Sequence, residues 1–358
     1  EVNQDPVCRL NPTTRSYCHP KYYQPLPNTL YRNNGDGTFT DVSAETGIAK
    51  HFGKGMGAVI ADYDGDGFMD VFVPNDNLPN FLFHNIAGKR FEEVALESGV
   101  AYPQSANAVS SMGADFKDVW NDGKPDIWHT ATENESFPLY QNRGGGVFLD
   151  VTDQSMLGGT RGMSGWSNGI FDFDNDGWKD LFAARGNVLD NVALISNRTY
   201  GEKNAVFRNL ANGKFRDVSA EAGADFQKSA PHRGAAFGDL DNDGRVDAVV
   251  TVLNGQMKYF HNVTENRNHW ILLKLVGTRS NRMAIGAQIR ITAEDNLRQY
   301  NQVTTACGYA GASDSRVHFG LGASKIVREI DIQWPSRIHQ VLRDVPADQI
   351  LSIKEPAR

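Results

Sequence analysis

Short apolar runs rich in Val, Ile, Leu, Phe and Trp recur through the first two-thirds of the chain, separated by Gly, Asn and Asp. Runs of this length bounded by turn residues predict strands. Four of them, Val71–Val73, Ile127–Trp128, Leu181–Ala183 and Ala248–Val252, each leave an aspartate-rich loop. The loops align as Asp62-Tyr-Asp64-Gly-Asp66-Gly-Phe68-Met-Asp70, Asp118-Val-Trp120-Asn-Asp122-Gly-Lys124-Pro-Asp126, Asp172-Phe-Asp174-Asn-Asp176-Gly-Trp178-Lys-Asp180 and Asp239-Leu-Asp241-Asn-Asp243-Gly-Arg245-Val-Asp247. A second motif interleaves with them: Leu30–Asn33 through Phe39–Val42, Leu82–Asn85 through Phe91–Val94, Leu139–Asn142 through Phe148–Val151, and Val206–Asn209 through Phe215–Val218.

Successive loops are 56, 54 and 67 residues apart, and each repeat reads as four strands: one entering the Asp loop, one leaving it, and the two of the second motif. A four-stranded unit repeated radially is a propeller blade, whereas solenoid repeats are shorter and carry fewer strands. The predicted fold class is all-β, a calcium-binding β-propeller followed by a small β-sandwich-like domain. Residues 28–43 supply only the last two strands of a blade, and the last blade, about 232–262, has three. The chain therefore starts inside a blade. Either its first strands close the ring on the final blade, or further blades lie upstream or on another chain, because an open propeller exposes strand edges.

Alternating Asp at loop positions 1, 3 and 5, Gly at 6 for a sharp turn and Asp at 9 converge carboxylates on one point, with the carbonyl of position 7 (Phe68, Lys124, Trp178, Arg245) as a further ligand. That many hard oxygens suits calcium better than magnesium, which keeps water and a strict octahedron. No helix pattern flanks the loops, and the closing acid comes three positions earlier than in an EF-hand. Three loops are complete, predicting three strong calcium sites. The second has Trp120 at position 3 and offers only Asp118, Asp122 and Asp126, a weaker site needing Asp115 or water. Metal-free Asp/Gly turns are the alternative, but clustered carboxylates without a cation repel one another. At millimolar calcium and affinities of ~10⁻⁴ to 10⁻³ M, each site adds roughly 0.4 to 1.4 kcal/mol.

The formal charge of −7 at pH 7 arises largely in these loops, and four divalent ions would bring the chain close to neutral. No Lys/Arg block argues for nucleic acid, no window approaches the ~20 apolar residues of a membrane span, and Glu1–Pro6 lacks the layout of a signal peptide. Three cysteines are few. A Cys8–Cys18 disulfide stapling the Pro- and Tyr-rich stretch 1–27 is favoured over free thiols, since an oxidising compartment fits the calcium loops, and Cys307 reads as a small buried residue.

The loops and the run Leu30-Tyr-Arg-Asn-Asn-Gly-Asp-Gly-Thr-Phe-Thr-Asp-Val42 resemble FG-GAP/VCBS repeats. His269–Leu275, Ser280-Asn281 with Ile285–Ala287, Gly308-Tyr309, Val317–Gly322 and Gln333–Pro335 are similar to the ASPIC/UnbV domain of the cartilage acidic protein family. The resemblance covers nearly the whole chain. It implies a secreted or surface-exposed integrin-like propeller with a C-terminal β-domain, whose family members generally carry further blades upstream. The domain reading is an irregular insert over 1–27, blades over 28–264 and a β-domain over 265–358, where alternating runs such as Ile289–Thr292 and Ile330–Trp334 predict a small sandwich.

The expected function is an extracytoplasmic binding, adhesion or assembly module. Its inserts near 1–27, 74–80, 102–110 and 185–204 would contact a protein, a polysaccharide, another copy of itself or a chain carrying further blades. It would be secreted, at the cell surface or periplasmic. The alternative is a calcium-dependent lyase or cyclase acting on a carbohydrate or small metabolite, with His51, His84, His129, Glu133, Arg185 and His232 as candidate acid/base groups. None forms a catalytic motif, and no phosphate loop, nucleophile elbow or metalloprotease motif is present. Asn134, Asn197 and Asn262 open acceptor sequons, in a number near chance.

Overall fold

The computed structural model describes residues 6–357, and the reading drawn from Glu1–Asp5 lies outside them. Antiparallel pairing builds the repeats as the strand pattern predicts. A short pair, β1 (Leu26–Pro27) with β4 (Phe52–Gly53), and a hairpin, β2 (Tyr31–Asn33) with β3 (Phe39–Asp41), come first. Three four-stranded sheets follow: β5–β8 (Val59–Ala61, Asp70–Val73, Phe81–Ile86, Arg90–Glu93), β9–β12 (Ala114–Lys117, Asp126–His129, Leu139–Asn142, Phe148–Asp150) and β13–β16 (Gly165–Phe171, Asp180–Arg185, Ala205–Asn209, Phe215–Asp217). The last blade has three strands, β17 (His232–Gly238), β18 (Asp247–Val252) and β19 (Lys258–Phe260).

The first three runs leaving the Asp loops are almost wholly buried because neighbouring blades stack on them, while the last blade's run leaves Thr251 exposed. Phe72 and Leu82 of one sheet meet Phe116, Ile127 and Tyr140 of the next. Trp128 and Leu139 meet Leu181 and Phe207, and Phe182 meets Phe237 and Val250. The first strands of the blades, β5, β9, β13 and β17, lie side by side along the propeller axis. Since consecutive strands run antiparallel, every Asp loop lies at one end of its blade. The connections 74–80, 130–138, 186–204 and 253–257 lie at the other.

Of the two alternatives for the ring, the first is not what the strands form. Among the described residues β2 and β3 pair only with each other and β17–β19 only among themselves, so the first strands do not close a ring on the last blade. Segment 304–316, from the C-terminal domain, instead runs along the axis. There Gly308 N donates to Ala114 O at 2.6 Å, and Asp314 N donates to Phe237 O at 2.9 Å; Tyr309 N donates to Ser167 Oγ at 3.1 Å. The fit is tight enough to demand glycine at 308: φ is +68°, and a Cβ would fall 2.0 Å from Ser167 Oγ. Cys307 is buried here beside the Asn168 carbonyl, as expected of a small core residue.

The C-terminal domain pairs β20 (His269–Val276) with β23 (Val317–Gly322) and, in parallel, with β26 (Gln349–Lys354). A second sheet has the order β22 (Arg298–Gln302), β21 (Gln288–Ala293), β24 (Ile326–Gln333) and β25 (His339–Pro346). Alternate residues Ile289, Ile291 and Ala293 of β21 and Ile330 and Ile332 of β24 point into a common core with Ile271, Leu273, Phe319 and Trp334, the period-2 burial of a sheet with one wet face. Glu355 fastens the last strand by accepting bonds from Thr278 N, Arg279 N, Ser280 N and Ser280 Oγ at 2.7–2.9 Å.

Candidate metal centres

Each Asp loop folds by the same local rules. Its first carboxylate accepts the N–H of the position-6 glycine: Asp62 from Gly67 at 2.9 Å, Asp118 from Gly123 at 2.8 Å, Asp172 from Gly177 at 2.8 Å and Asp239 from Gly244 at 3.0 Å. Positions 4 and 6 are left-handed, with φ of +56° to +89°, and hold only Gly or Asn, the residues that tolerate that region. The ninth residue bridges outward. Asp70, Asp126, Asp180 and Asp247 accept the N–H of Asn85, Asn142, Asn209 and Asn262 at 2.7–2.9 Å.

These asparagines explain the second motif. Asn142 Nδ2 reaches the Tyr63 carbonyl of the preceding blade's loop at 2.8 Å, Asn209 reaches that of Val119 at 3.3 Å and Asn262 that of Phe173 at 2.7 Å. Each thereby clamps two loops together. The motif was visible in the sequence, but a clamp between blades becomes apparent only once they stack. The same bond engages the amide nitrogen of Asn262, so that sequon offers no free acceptor in the folded chain, while Asn134 and Asn197 are exposed.

Three loops bring ligand atoms together. Those of Asp62, Asp64 and Asp70, of Asp172, Asp174 and Asp180, and of Asp239, Asp241 and Asp247 lie within 4.8 Å of one another in each set. Burial lifts six of these carboxyls above the usual range: Asp70 to about 7, Asp172 and Asp180 well above it, and Asp62, Asp174 and Asp239 in the same direction. Asp174 Oδ1 is buried without a partner. Mutually repelling oxygens, most of them buried, fit a hard divalent cation. Asp66, Asp176 and Asp243 sit at the loop rims, each turning an oxygen to the N–H of the position-7 residue, Phe68, Trp178 or Arg245.

The second loop differs. Trp120 packs into the core between two blades, and the loop's charge is met by lysines: Lys124 Nζ lies 2.8 Å from Asp122 Oδ2, and the buried Lys179 Nζ donates to Asp118 O at 2.8 Å. Asp115 turns away from this loop to pair with Lys117 at 2.9 Å. Burial raises Asp126 well above the usual carboxylate range and raises Asp118, against which Lys179 pulls Asp118 down.

One strand residue beside each loop was not read as part of its site, although His84 was singled out as a candidate acid/base group. His84, Gln141, Arg208 and His261 precede the clamp asparagines, and three of them face the loop carboxylates. Arg208 Nε lies 2.7 Å from Asp174, His84 Nδ1 3.1 Å from Asp70 and His261 Nε2 2.9 Å from Asp241.

The remaining candidate acid/base groups have local partners. His51 packs edge-on against Phe81 and Phe83. His129 is buried, stacked on Tyr140 and pulled down to about 4 by burial, and it does not meet Glu133, which accepts from Asn187 and Arg198. Arg185 pairs with Glu202 at 2.6 Å, while His232 Nδ1 lies 3.0 Å from the Arg185 carbonyl.

The repeat architecture and its Asp loops define a blade-repeat protein with several acidic clusters able to hold metal ions. The chain belongs to the FG-GAP-like repeat family, whose model matches residues 22–73, 118–183 and 186–250, and it carries an ASPIC and UnbV domain matched over 277–358. It is similar to cartilage acidic protein 1 of Homo sapiens, at 26% identity over 88% of this chain and 46% of that protein. The Mus musculus protein of that name is 25% identical over 88% and 47%, and that of Xenopus tropicalis 28% over 53% and 30%. The chain thus spans about half the length of the human and mouse relatives. Among solved structures, an Agrocybe aegerita lectin described as recognising non-reducing terminal N-acetylglucosamine aligns at 18% identity over 66% of this chain and 60% of that chain, with TM-score 0.36. A rhamnogalacturonan lyase of Bacillus licheniformis aligns at 13% over 88% and 65%, with TM-score 0.31. At those scores neither bears on function.

Proposed function

We propose that the chain is an extracytoplasmic, calcium-stabilised binding or structural module that recognises its partner with the face opposite the Asp loops. The observation that carries this reading is the division of labour between the two ends of the blades. At the loop end, calcium held by Asp62, Asp64 and Asp70, by Asp172, Asp174 and Asp180, and by Asp239, Asp241 and Asp247 supplies the missing positive charge. Asp66, Asp176 and Asp243, with the position-7 carbonyls of Phe68, Trp178 and Arg245, complete the shells. The loop of Asp118, Asp122 and Asp126, with the Lys124 carbonyl, binds weakest because lysines already compensate it.

At the other end the inserts interlock into one surface. Asn191 Nδ2 donates to Arg15 O at 2.7 Å, Lys54 Nζ to Pro20 O at 2.7 Å and Asn77 Nδ2 to Ser110 Oγ at 2.7 Å. Tyr17, Tyr22, Leu194 and Ile195 are exposed on these inserts, and amphipathic aromatics on a rigid scaffold suit recognition of a protein or polysaccharide. The disulfide between Cys8 and Cys18 supports an oxidising compartment. Among the described residues no helix is long and apolar enough to cross a membrane.

The test is a binding screen of the calcium-loaded chain against immobilised matrix proteins and polysaccharides, with Tyr17→Ala/Tyr22→Ala and Leu194→Ser/Ile195→Ser variants alongside. Binding that these variants abolish without shifting the melt supports the reading. Binding that survives both moves recognition off this face.

A further inference from the structure

The C-terminal domain docks on all four Asp loops, and it does so largely through the loops' own backbone. In the third loop, the Asp174 carbonyl accepts from Asn266 Nδ2 at 2.6 Å and Asn268 Nδ2 at 2.8 Å, and the Asn175 carbonyl accepts from Gly322 N at 2.8 Å. In the fourth, the Asp239 carbonyl accepts from Arg316 at 2.5 Å, Asn242 Oδ1 from the same guanidinium at 2.7 Å, and the Gly244 carbonyl meets His318 Nε2 at 3.0 Å. In the first, Gln288 Nε2 donates to the Asp62 carboxylate at 2.7 Å. In the second, Lys179 joins the Asp118 and Tyr300 carbonyls, at 2.8 and 3.0 Å.

Side-chain-free positions bring the surfaces into near contact. A Cβ on Gly320 would fall 2.0 Å from Asp172 Oδ2, and one on Gly244 would fall 1.8 Å from the Trp270 ring. The acceptors therefore point at the domain only while each loop keeps its left-handed turns, the conformation that converging carboxylates around a cation would fix.

We infer that ion binding and docking of the C-terminal domain are one coupled equilibrium: a loaded loop presents the carbonyl set the domain reads, and an empty loop lets go of it. This rests on the calcium reading above. Coupling of this kind is reciprocal. The same factor by which calcium tightens docking is the factor by which docking tightens calcium. The segment between the two bodies supplies a reporter, because residues 263–267 are exposed and include Arg267.

The experiment measures tryptic cleavage after Arg267 and the radius of gyration of the full chain, in calcium and in excess chelator. It is run at a temperature where far-UV circular dichroism is unchanged by the chelator, with bound calcium counted in parallel. Chelation should speed cleavage at least ~5-fold and expand the particle. Asn268→Ala/Arg316→Ala, in calcium, should do the same and should weaken calcium binding by a similar factor. If calcium binds but cleavage and radius ignore it, the coupling is wrong and the calcium reading stands. If no calcium binds, the calcium reading fails and the coupling falls with it.

Discussion

Lys179→Met tests whether the second loop is held together by charge rather than by an ion. Lys179 is 5% exposed, and its ammonium bonds Asp118 O and Tyr300 O. Beside it, Asp118 and Asp126 are 3% and 1% exposed. Burial pulls the ammonium below its usual range while these carboxylates push it back up. Methionine keeps the shape of the side chain and removes the charge, leaving two buried carboxylates uncompensated. Removing one partner of a buried ionic group costs about 3–5 kcal/mol. At ~2–4 °C per kcal/mol for a domain of this size, that is a fall of roughly 6–20 °C in melting temperature.

The sign with pH follows from the raised carboxyls. The penalty is present where Asp118 and Asp126 are charged and shrinks as acid protonates them. Thermal melts in chelator at pH 8 and pH 5 should therefore show a large deficit that narrows. A variant as stable as the parent at pH 8 would refute the reasoning. A deficit equal at both pH values would assign the loss to packing instead.

Without calcium, Asp70, which burial raises to about 7, binds more protons folded than unfolded between pH 4 and about 7, and Asp172 and Asp180, which burial raises well above the usual range, act in the same direction. Melting temperature in chelator should accordingly rise as pH falls from 8 to 5, and calcium's added stabilisation should shrink over the same range. Glu355 behaves oppositely: burial opposes its charge, but Ser336 and the N–H groups of Ser280, Arg279 and Thr278 hold it down to about 2. Its contribution is complete above pH 4.5 and is lost as pH falls through about 2. Glu355→Ala should cost at least ~3 kcal/mol in urea unfolding at pH 7. Cys8→Ser/Cys18→Ser should expose residues 6–27 to protease while leaving the main unfolding transition in place, since the stapled stretch contributes no residue to the core clusters.

Blade strands and Asp loops were legible because both obey short-range rules: short apolar runs bounded by turn residues, left-handed Gly and Asn at fixed offsets, and carboxylates two to eight residues apart. The weakness of the second loop was legible from Trp120, but its compensation by Lys179 was not, since that residue belongs to the next blade's loop. Stacking also decides the role of Asn142, Asn209 and Asn262, whose partner carbonyls lie 79 to 90 residues away. The hold of segment 304–316 on the propeller axis left only a trace, the glycines at 308 and 311. Ring closure by the first strands was one of two alternatives that edge avoidance left open, and a segment from another domain supplies cover along the axis.

The central claim is that cations on the Asp loops hold the blades together. Its most direct measurement is the calcium content and melting temperature of the full chain before and after excess chelator, repeated for Asp174→Ala, Asp241→Ala and Asp122→Ala. The account predicts about three tightly held ions, a marked fall in melting temperature on chelation, the loss of one ion for each of the first two variants and the least effect for the third. A melt indifferent to chelator, with no calcium retained, would contradict it.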